Sequence, residues 1–258
     1  MGVLNVTPDS FSDGGAFLDS DAAIEAGRAM AAAGADIVDV GGESTRPQSS
    51  PTPQAEEQRR ILPVIRALAA AGLRVSVDTR HASTMAAALD AGATIVNDVY
   101  ALAYDPQAAA LVASRGCPVV LMHTRGTPAD MYALARYEDV AADVMRELGQ
   151  RIAAAERAGI APDRIVIDPG IGFAKTAEQS MELLRRLPEL GALGRPILVG
   201  VSRKSFLGTV SGVQDPRNRL PGSLAAGLFA LTRGASILRV HDVPETIQAI
   251  RIWQALVP

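Results

Sequence analysis

The sequence lacks the features that mark secreted, membrane or nucleic-acid-binding proteins. It has one cysteine, Cys117, so an intramolecular disulfide is impossible, which suits a reducing compartment such as the cytoplasm. No uninterrupted apolar run reaches the roughly 18 residues of a membrane span, so no membrane partner is expected. The formal net charge is only −3, which gives no reason to expect nucleic acid as a partner. Any anion site must therefore be a local cluster of cations.

Short apolar segments alternate with longer, alanine-rich segments of helical period. Strands are predicted at residues 1–6, 35–40, 73–78, 93–98, 118–123, 164–169, 196–201 and 236–241. Helices are predicted at 20–33, 54–71, 81–91, 106–115, 138–158, 177–187, 221–233 and 243–256. Five of these helices should stop at glycines, namely Gly34, Gly72, Gly92, Gly116 and Gly159.

Strict alternation of strands and helices predicts an α/β protein with a parallel sheet. Eight strand–helix units in about 250 residues are typical of a (β/α)₈ TIM barrel, here a single domain over residues 1–258. An open, doubly wound sheet is the alternative. No Gly-x-Gly-x-x-Gly turn follows the first strand, and this favours the barrel.

Each predicted strand ends in, or leads directly into, polar side chains. These are Asn5, Asp39, Asp78, Asn97, His123, Asp168, Ser202 with Lys204, and Arg239 with His241. Each one alone could be a turn former or a helix cap. Together, at the carboxyl ends of barrel strands, they predict one site with cations for a phosphate and planar hydrogen-bonding groups for a polar heterocycle.

Two polar, glycine-rich loops, residues 5–17 and 41–53, should stand above this rim. They lack helical periodicity, and each carries a residue that is costly to leave on an exposed tip, Phe11 in the first and Arg46 in the second. We expect them to act as lids, with plain connecting loops as the alternative.

Seven motifs occur in an order that resembles the dihydropteroate synthase family over essentially the whole chain. They are MGVLNVTPDSFSDGG, DVGGESTRP, SVDTR, IVNDV, DPGIGFAK, SRKS and RVHDV. The resemblance implies a homodimeric (β/α)₈ enzyme of folate synthesis that uses Mg²⁺. Its reaction joins a dihydropterin carrying a hydroxymethyl diphosphate to the amine of 4-aminobenzoate, and releases diphosphate.

The resemblance also implies roles for individual residues. Asn5 matches the metal ligand. The pterin would be held by Asp78, Asn97, Met122, Asp168 and Lys204, and the diphosphate by Thr45, Arg239 and His241. Around the aminobenzoate pocket lie the matches Phe11, Pro47, Phe173 and Ser205, whereas Asp39, Arg46 and Lys204 match residues at the reacting centre. Sulfonamides, which copy aminobenzoate, should compete for that pocket.

Three points stay open at this level. Ala174 stands where the family usually has glycine, so it could shift the neighbouring Phe173. Arg239 is expected to bind the diphosphate rather than the ring, but it could instead be a structural ion-pair partner of Asp39 or Glu245. A pterin-dependent methyltransferase domain and a catalytically inactive pterin-binding protein are the alternative functions.

Overall fold

The computed structural model describes residues 1–7, 16–43 and 52–256. Its strands are β1 (Gly2–Asn5), β2 (Val38–Gly41), β3 (Val75–Asp78), β4 (Ile95–Asp98), β5 (Val119–Met122), β6 (Ile165–Asp168), β7 (Leu198–Gly200) and β8 (Ile237–Arg239). Its helices are α1 (Ala16–Ala32), α2 (Gln54–Ala70), α3 (Ala82–Asp90), α4 (Ala108–Arg115), α5 (Val140–Arg157), α6 (Ala177–Arg185), α7 (Ser205–Ser211), α8 (Leu220–Thr232) and α9 (Val243–Leu256). Short 3₁₀ turns cover 162–164, 187–193 and 216–218.

The eight parallel strands close into a barrel. Strands β1 to β6 form one sheet in sequence order, and β7 pairs with β8. Single bridges, Ile167 with Ile197 and Gly2 with Val240, join these two groups at both seams. The helices pack outside, so the predicted (β/α)₈ architecture is confirmed.

Local chemistry explains where the helices end and which faces they bury. All five glycines expected as stop signals have positive φ, which is the conformation that ends a helix without a Cβ penalty. The predicted apolar stripe of α5, Val140, Val144, Leu148 and Ile152, is buried against the barrel. Among the described residues, no helix is long and apolar enough to cross a bilayer.

Helix α7 was not predicted. It has only seven residues and ends at Gly212, whose φ is 78°, so it is too short to show a helical period. It begins directly after Lys204 and therefore shapes the rim at the end of β7.

Candidate active site

Three strands bring their polar side chains to one guanidinium inside the barrel. Arg239 of β8 donates from Nε to Asp39 Oδ2 at 2.7 Å and from Nη2 to Asp78 Oδ2 at 2.7 Å. The amide of Asn97 donates to Asp39 Oδ2 at 2.9 Å. Residues that are up to 200 positions apart in the chain thus form one hydrogen-bonded group. The ion pair of Arg239 with Asp39, one of the two alternatives for this arginine, is present.

Asp39 lies deeper than the sequence indicated. Strand β2 continues to Gly41, and Asp39 pairs with Val3 and Ser76, two residues below the strand end. Its side chain is fully buried. Its Oδ1 has no hydrogen-bond partner among the described residues, although its Oδ2 has two. The expectation that Asp39 ends its strand was therefore wrong, because the strand runs on through buried Val40 to Gly41, one residue past its predicted end.

Burial and charge set the ionisation of this group. Burial raises the pKa of Asp78 to about 7, against the opposing effect of Arg239, and neighbouring Asp39 raises it further. Burial alone would lower the pKa of Arg239, but Asp39 and Asp78 raise it overall, so the guanidinium stays charged. At neutral pH the Asp78 carboxyl can therefore both accept and donate protons.

A second group forms at the ends of β6 and β7. Asp168 Oδ1 accepts from the backbone N–H of Gly170 at 2.7 Å, and burial raises the pKa of Asp168 while Lys204 opposes this. Lys204 Nζ donates to the carbonyl of Ile171 and lies 4.5 Å from the centroid of the Phe173 ring. Burial lowers the pKa of Lys204 to about 8. A carboxylate, an ammonium and an aromatic face are thus side by side.

The remaining described candidates surround these groups. His241 approaches Ser202, with 3.0 Å between Nδ1 and Oγ, and its backbone N–H donates to the same oxygen. Met122 is buried at the end of β5, and Ser205 is exposed at the first position of α7. Asn5 is half-buried at the end of β1, where it pairs with Gly41 of β2.

Four predicted residues lie outside the described part of the chain. These are Phe11, Thr45, Arg46 and Pro47. The lid function of the two loops therefore stays a prediction, as do the contacts of these four side chains. Glu43, at the edge of the second loop, is described, and it pairs with Arg80 at 2.8 Å and accepts from the Thr52 N–H at 2.9 Å.

Three functional candidates escaped the sequence reasoning. Lys175 is buried behind the β6–α6 loop, although it was visible as the last residue of the DPGIGFAK motif. Asp98 accepts from the N–H groups of Tyr100 and Leu102. Strand alternation would have placed its side chain on the other face of β4 from that of Asn97. Arg203 pairs with Asp242, and no sequence signal pointed to that long-range contact.

The donor set near Asn5 suits magnesium held mainly by a substrate. Within the described ranges, no group of three or more His, Cys, Asp or Glu side chains could hold a metal ion. The structure records no hydrogen bond to the Asn5 side chain from any described residue, so its amide oxygen is available. Mg²⁺ commonly takes only one or two protein oxygens and completes its shell with water and phosphate oxygens.

Comparison with known proteins gives the family. A family model described as pterin binding enzyme matches residues 1–241. The chain is 50% identical over 252 residues to a probable bifunctional folylpolyglutamate synthase/dihydropteroate synthase from Haloferax volcanii, a match that covers 98% of this chain and 30% of that protein. It is 44% identical over 257 residues to the dihydropteroate synthase of Synechocystis sp., which covers 99% of this chain and 89% of that protein.

Solved structures agree in fold along the chain. A Xanthomonas albilineans dihydropteroate synthase with 4-aminobenzoic acid has a TM-score of 0.94 and 49% identity, and the match covers 100% of this chain and 93% of that one. The same enzyme in complex with 7,8-dihydropteroate has a TM-score of 0.91 and 47% identity, with coverage of 100% and 94%. The Yersinia pestis dihydropteroate synthase with a sulfonamide drug has a TM-score of 0.93 and 42% identity, with coverage of 99% and 92%. With matches of this extent in both sequence and fold, the chain belongs to the dihydropteroate synthase family of pterin-binding enzymes.

Proposed function

We propose that the two polar groups at the barrel rim divide the substrates of the family's reaction between them. The chain condenses (7,8-dihydropterin-6-yl)methyl diphosphate with 4-aminobenzoate, giving 7,8-dihydropteroate and diphosphate in folate biosynthesis. The observation that carries the assignment of roles is the convergence of Asp39, Asp78, Asn97 and Arg239 inside one barrel, beside Asp168 and Lys204.

The pterin ring binds at the carboxyl groups of Asp168 and Asp78 and at the amide group of Asn97. Asp168 is a buried carboxylate that can accept paired N–H donors from an aminopyrimidine edge. Asp78, with its pKa near neutrality, can donate to a ring nitrogen or accept from an N–H. Asn97 offers both functions, and the ammonium of Lys204 suits the ring carbonyl oxygen. Met122 supplies an apolar contact nearby.

The diphosphate belongs at the cationic side of the rim. Arg239 and His241 leave β8, and loops after the last barrel strands commonly hold phosphate. Thr45 would add a hydroxyl donor. Cations that neutralise the charge developing on the departing diphosphate lower the barrier to its release. Because the pterin can support positive charge on the methylene carbon, the protein needs to position and shield the reactants and needs no nucleophilic side chain.

The aminobenzoate belongs above Phe173, next to Ser205 at the start of α7. Phe11, Arg46 and Pro47 would complete this pocket from the two loops. The Yersinia pestis relative has been solved with a sulfonamide drug. Sulfonamides should therefore compete with 4-aminobenzoate in steady-state kinetics, and a purely noncompetitive pattern would contradict the placement of the pocket.

Magnesium is proposed as the metal that accompanies the diphosphate, with the amide oxygen of Asn5 as its protein ligand. A divalent ion bound there supplies Lewis-acid neutralisation of diphosphate charge. Turnover should fall to background after exhaustive chelation and return when Mg²⁺ is added back. Full turnover in the chelated enzyme would contradict the proposal.

A cytoplasmic homodimer is proposed as the working form. Exposed apolar side chains lie on the neighbouring helices α7, α8 and α9, at Val210, Phe229, Ile252 and Leu256. A second copy that covered them would remove this surface from water. The single buried cysteine suits a reducing compartment.

One assay tests the function as a whole. Release of diphosphate from the pterin diphosphate is measured with and without 4-aminobenzoate. Release that requires 4-aminobenzoate, with formation of dihydropteroate, supports the synthase. Pterin binding without release would indicate an inactive binding protein, and methyl transfer in place of release would indicate a methyltransferase.

A further inference from the structure

Lys175 is a buried cation that the reaction scheme above does not use. It exposes 2% of its surface, between the barrel and α5. Its Nζ contacts His123 Nδ1 at 2.9 Å and donates to the carbonyl oxygens of Gly170 and Phe173, each at 3.1 Å. Since an ammonium has three N–H donors, these three contacts satisfy it completely.

The partners fix the protonation of His123. An ammonium can only donate, so His123 Nδ1 must accept and the imidazole must be neutral. Its Nε2–H then donates to Glu147 Oε2 at 2.9 Å. Burial and the neighbouring Lys175 lower the pKa of His123 to about 4, in agreement with a neutral ring. Arg125 holds Glu147 from the other side.

Two of the three acceptors belong to the loop that carries the pterin carboxylate. Gly170 gives its carbonyl to Lys175 and its N–H to Asp168 Oδ1, so one residue joins the two side chains. Gly170 has a φ of 65°, and a Cβ there would lie 1.9 Å from the His123 carbonyl oxygen. The loop backbone therefore packs directly against the backbone of His123, at a position where only glycine fits, and Lys175 binds the carbonyl group of the same residue.

We propose that Lys175 is a positioning residue, whose ammonium holds residues 168–174 in the shape that presents Asp168 to the pterin and Phe173 to the second substrate. This inference rests on the proposed assignment of Asp168 to the pterin ring. Deprotonation would leave two N–H donors for three acceptors, so one contact that shapes the loop would be lost.

That deprotonation falls near neutral pH. Burial lowers the pKa of Lys175 to about 7, with Asp168 raising it and Lys204 lowering it. Arg125 and Glu147 act on it from the β5–α5 side, and His123 and the ring of Tyr137 also face it, the latter at 5.9 Å. Pterin affinity should therefore decline as the pH rises through about 7, as the ammonium is lost.

The test compares Lys175→Met with Arg157→Met, which removes an exposed cation in the last turn of α5. Binding of 6-hydroxymethyl-7,8-dihydropterin is measured by calorimetry between about pH 6 and pH 9, beside melting curves. Lys175→Met should bind about tenfold or more weakly at the acid end, and its difference from the parent should shrink as the pH rises through about 7, whereas Arg157→Met should match the parent at every pH. A folded Lys175→Met with unchanged affinity and unchanged pH profile would overturn the proposal. If the parent protein itself does not bind the pterin, the proposed function fails instead.

A second measurement avoids mutation. The chain has only three histidines, so ¹⁵N-detected NMR of the imidazoles resolves His123 readily. Its ring should remain in the neutral Nε2–H form, with an Nδ1 shift that changes near pH 7 as Lys175 loses its proton. Pterin binding should move this step to higher pH, because the bound state favours the ammonium. A ring that shows no such step, or a step that the pterin leaves in place, would overturn the proposal even if Lys175→Met does not fold.

Discussion

Arg239 illustrates how one residue can serve structure and binding together. Its guanidinium pairs with Asp39, which is fully buried, and with Asp78. Arg239→Ala would leave both carboxylates without their cation, so we expect a loss of about 3–5 kcal/mol in unfolding free energy. Both the pterin diphosphate and the hydroxymethyl pterin should bind more weakly, rather than the diphosphate form alone. The exposed Arg233→Ala serves as the control in the same melting and calorimetric experiments.

If Arg239→Ala keeps its melting temperature and loses affinity only for the diphosphate form, the two ion pairs do not contribute to the stability of the fold. The expectation from the sequence, a contact to diphosphate with little effect on the ring, would then stand unmodified.

Asp168 can be tested by a change that keeps its shape. In Asp168→Asn, the amide oxygen can still accept from Gly170, but the NH₂ group then faces the N–H donors of the pterin. The lost charge-assisted hydrogen bonds should weaken pterin binding by about 1.5–3 kcal/mol with the fold preserved. Calorimetry measures the affinity and a melting curve checks the fold. An unchanged affinity would make Asp168 only a turn residue before Pro169.

Ala174 stores backbone strain at the site. It is fully buried with a φ of 48°, and its carbonyl oxygen accepts from the Tyr137 hydroxyl at 3.0 Å. A Cβ in this left-handed region costs about 1–2 kcal/mol, so Ala174→Gly should stabilise the protein by about 1 kcal/mol in urea unfolding. Ala154→Gly, inside α5, should destabilise by a similar amount. A lower stability for Ala174→Gly would show that the methyl group contributes more by packing than its strain costs.

At the scale of elements, one ion pair joins two rim segments. Arg203, between β7 and α7, pairs with Asp242, directly before α9, and donates its backbone N–H to Ser223 Oγ at 2.9 Å. A double-mutant cycle with alanine at both positions should give a coupling of about 1–2 kcal/mol in unfolding free energy. The exposed pair Glu25 and Arg28 on α1 should give a value near zero in the same cycle. Equal coupling energies for the two pairs would contradict the idea that Arg203 and Asp242 hold these two rim segments together.

Most elements could be predicted from the sequence because each carries its own local signal. Apolar runs, helical periods and glycine stops located eight strands and eight helices. Helix α7 was missed because seven residues show too little periodicity. The depth of Asp39 and the contacts of Lys175 depend on strand register and on partners up to 52 positions away, which local patterns do not contain.

At the scale of the whole molecule, barrel closure concentrates ionisable groups in a space that water reaches poorly. Burial raises the pKa of Asp78 to about 7 and that of Asp98 to about 6, and it lowers the pKa of Lys175 to about 7 and that of Lys204 to about 8. Each shift is a free-energy cost of keeping a charge in the folded protein. These four groups therefore reduce the free energy of unfolding most at the pH at which all of them are charged.

The pH dependence of stability follows from these shifts. Between about pH 4 and pH 7, folded Asp78 and Asp98 bind more protons than they do in the unfolded chain, so their contribution falls as the pH rises. Above about pH 7, folded Lys175 and Lys204 release protons that the unfolded chain keeps up to its ordinary lysine pKa of about 10.4, so stability rises with pH. His123, whose folded pKa is about 4, opposes this fall up to about pH 6.5, but it is one group against Asp78 and Asp98. We expect the ligand-free protein to show a minimum of unfolding free energy near pH 7, measured by urea titration at about pH 5, 7 and 9.

Single variants test which ionisable groups cause the fall and the rise in stability on the two sides of that minimum. Asp78→Asn should reduce the slope on the acid side and Lys204→Met the slope on the basic side, while Asp98 and Lys175 keep the remainder. Glu56→Gln should alter neither, because Glu56 is a surface carboxylate whose bonds from Arg59 and Arg60 lower its pKa to about 2. A maximum at neutral pH in the parent would contradict the account. Saturating pterin should raise the unfolding free energy at each of these pH values, because the ligand binds the folded state alone.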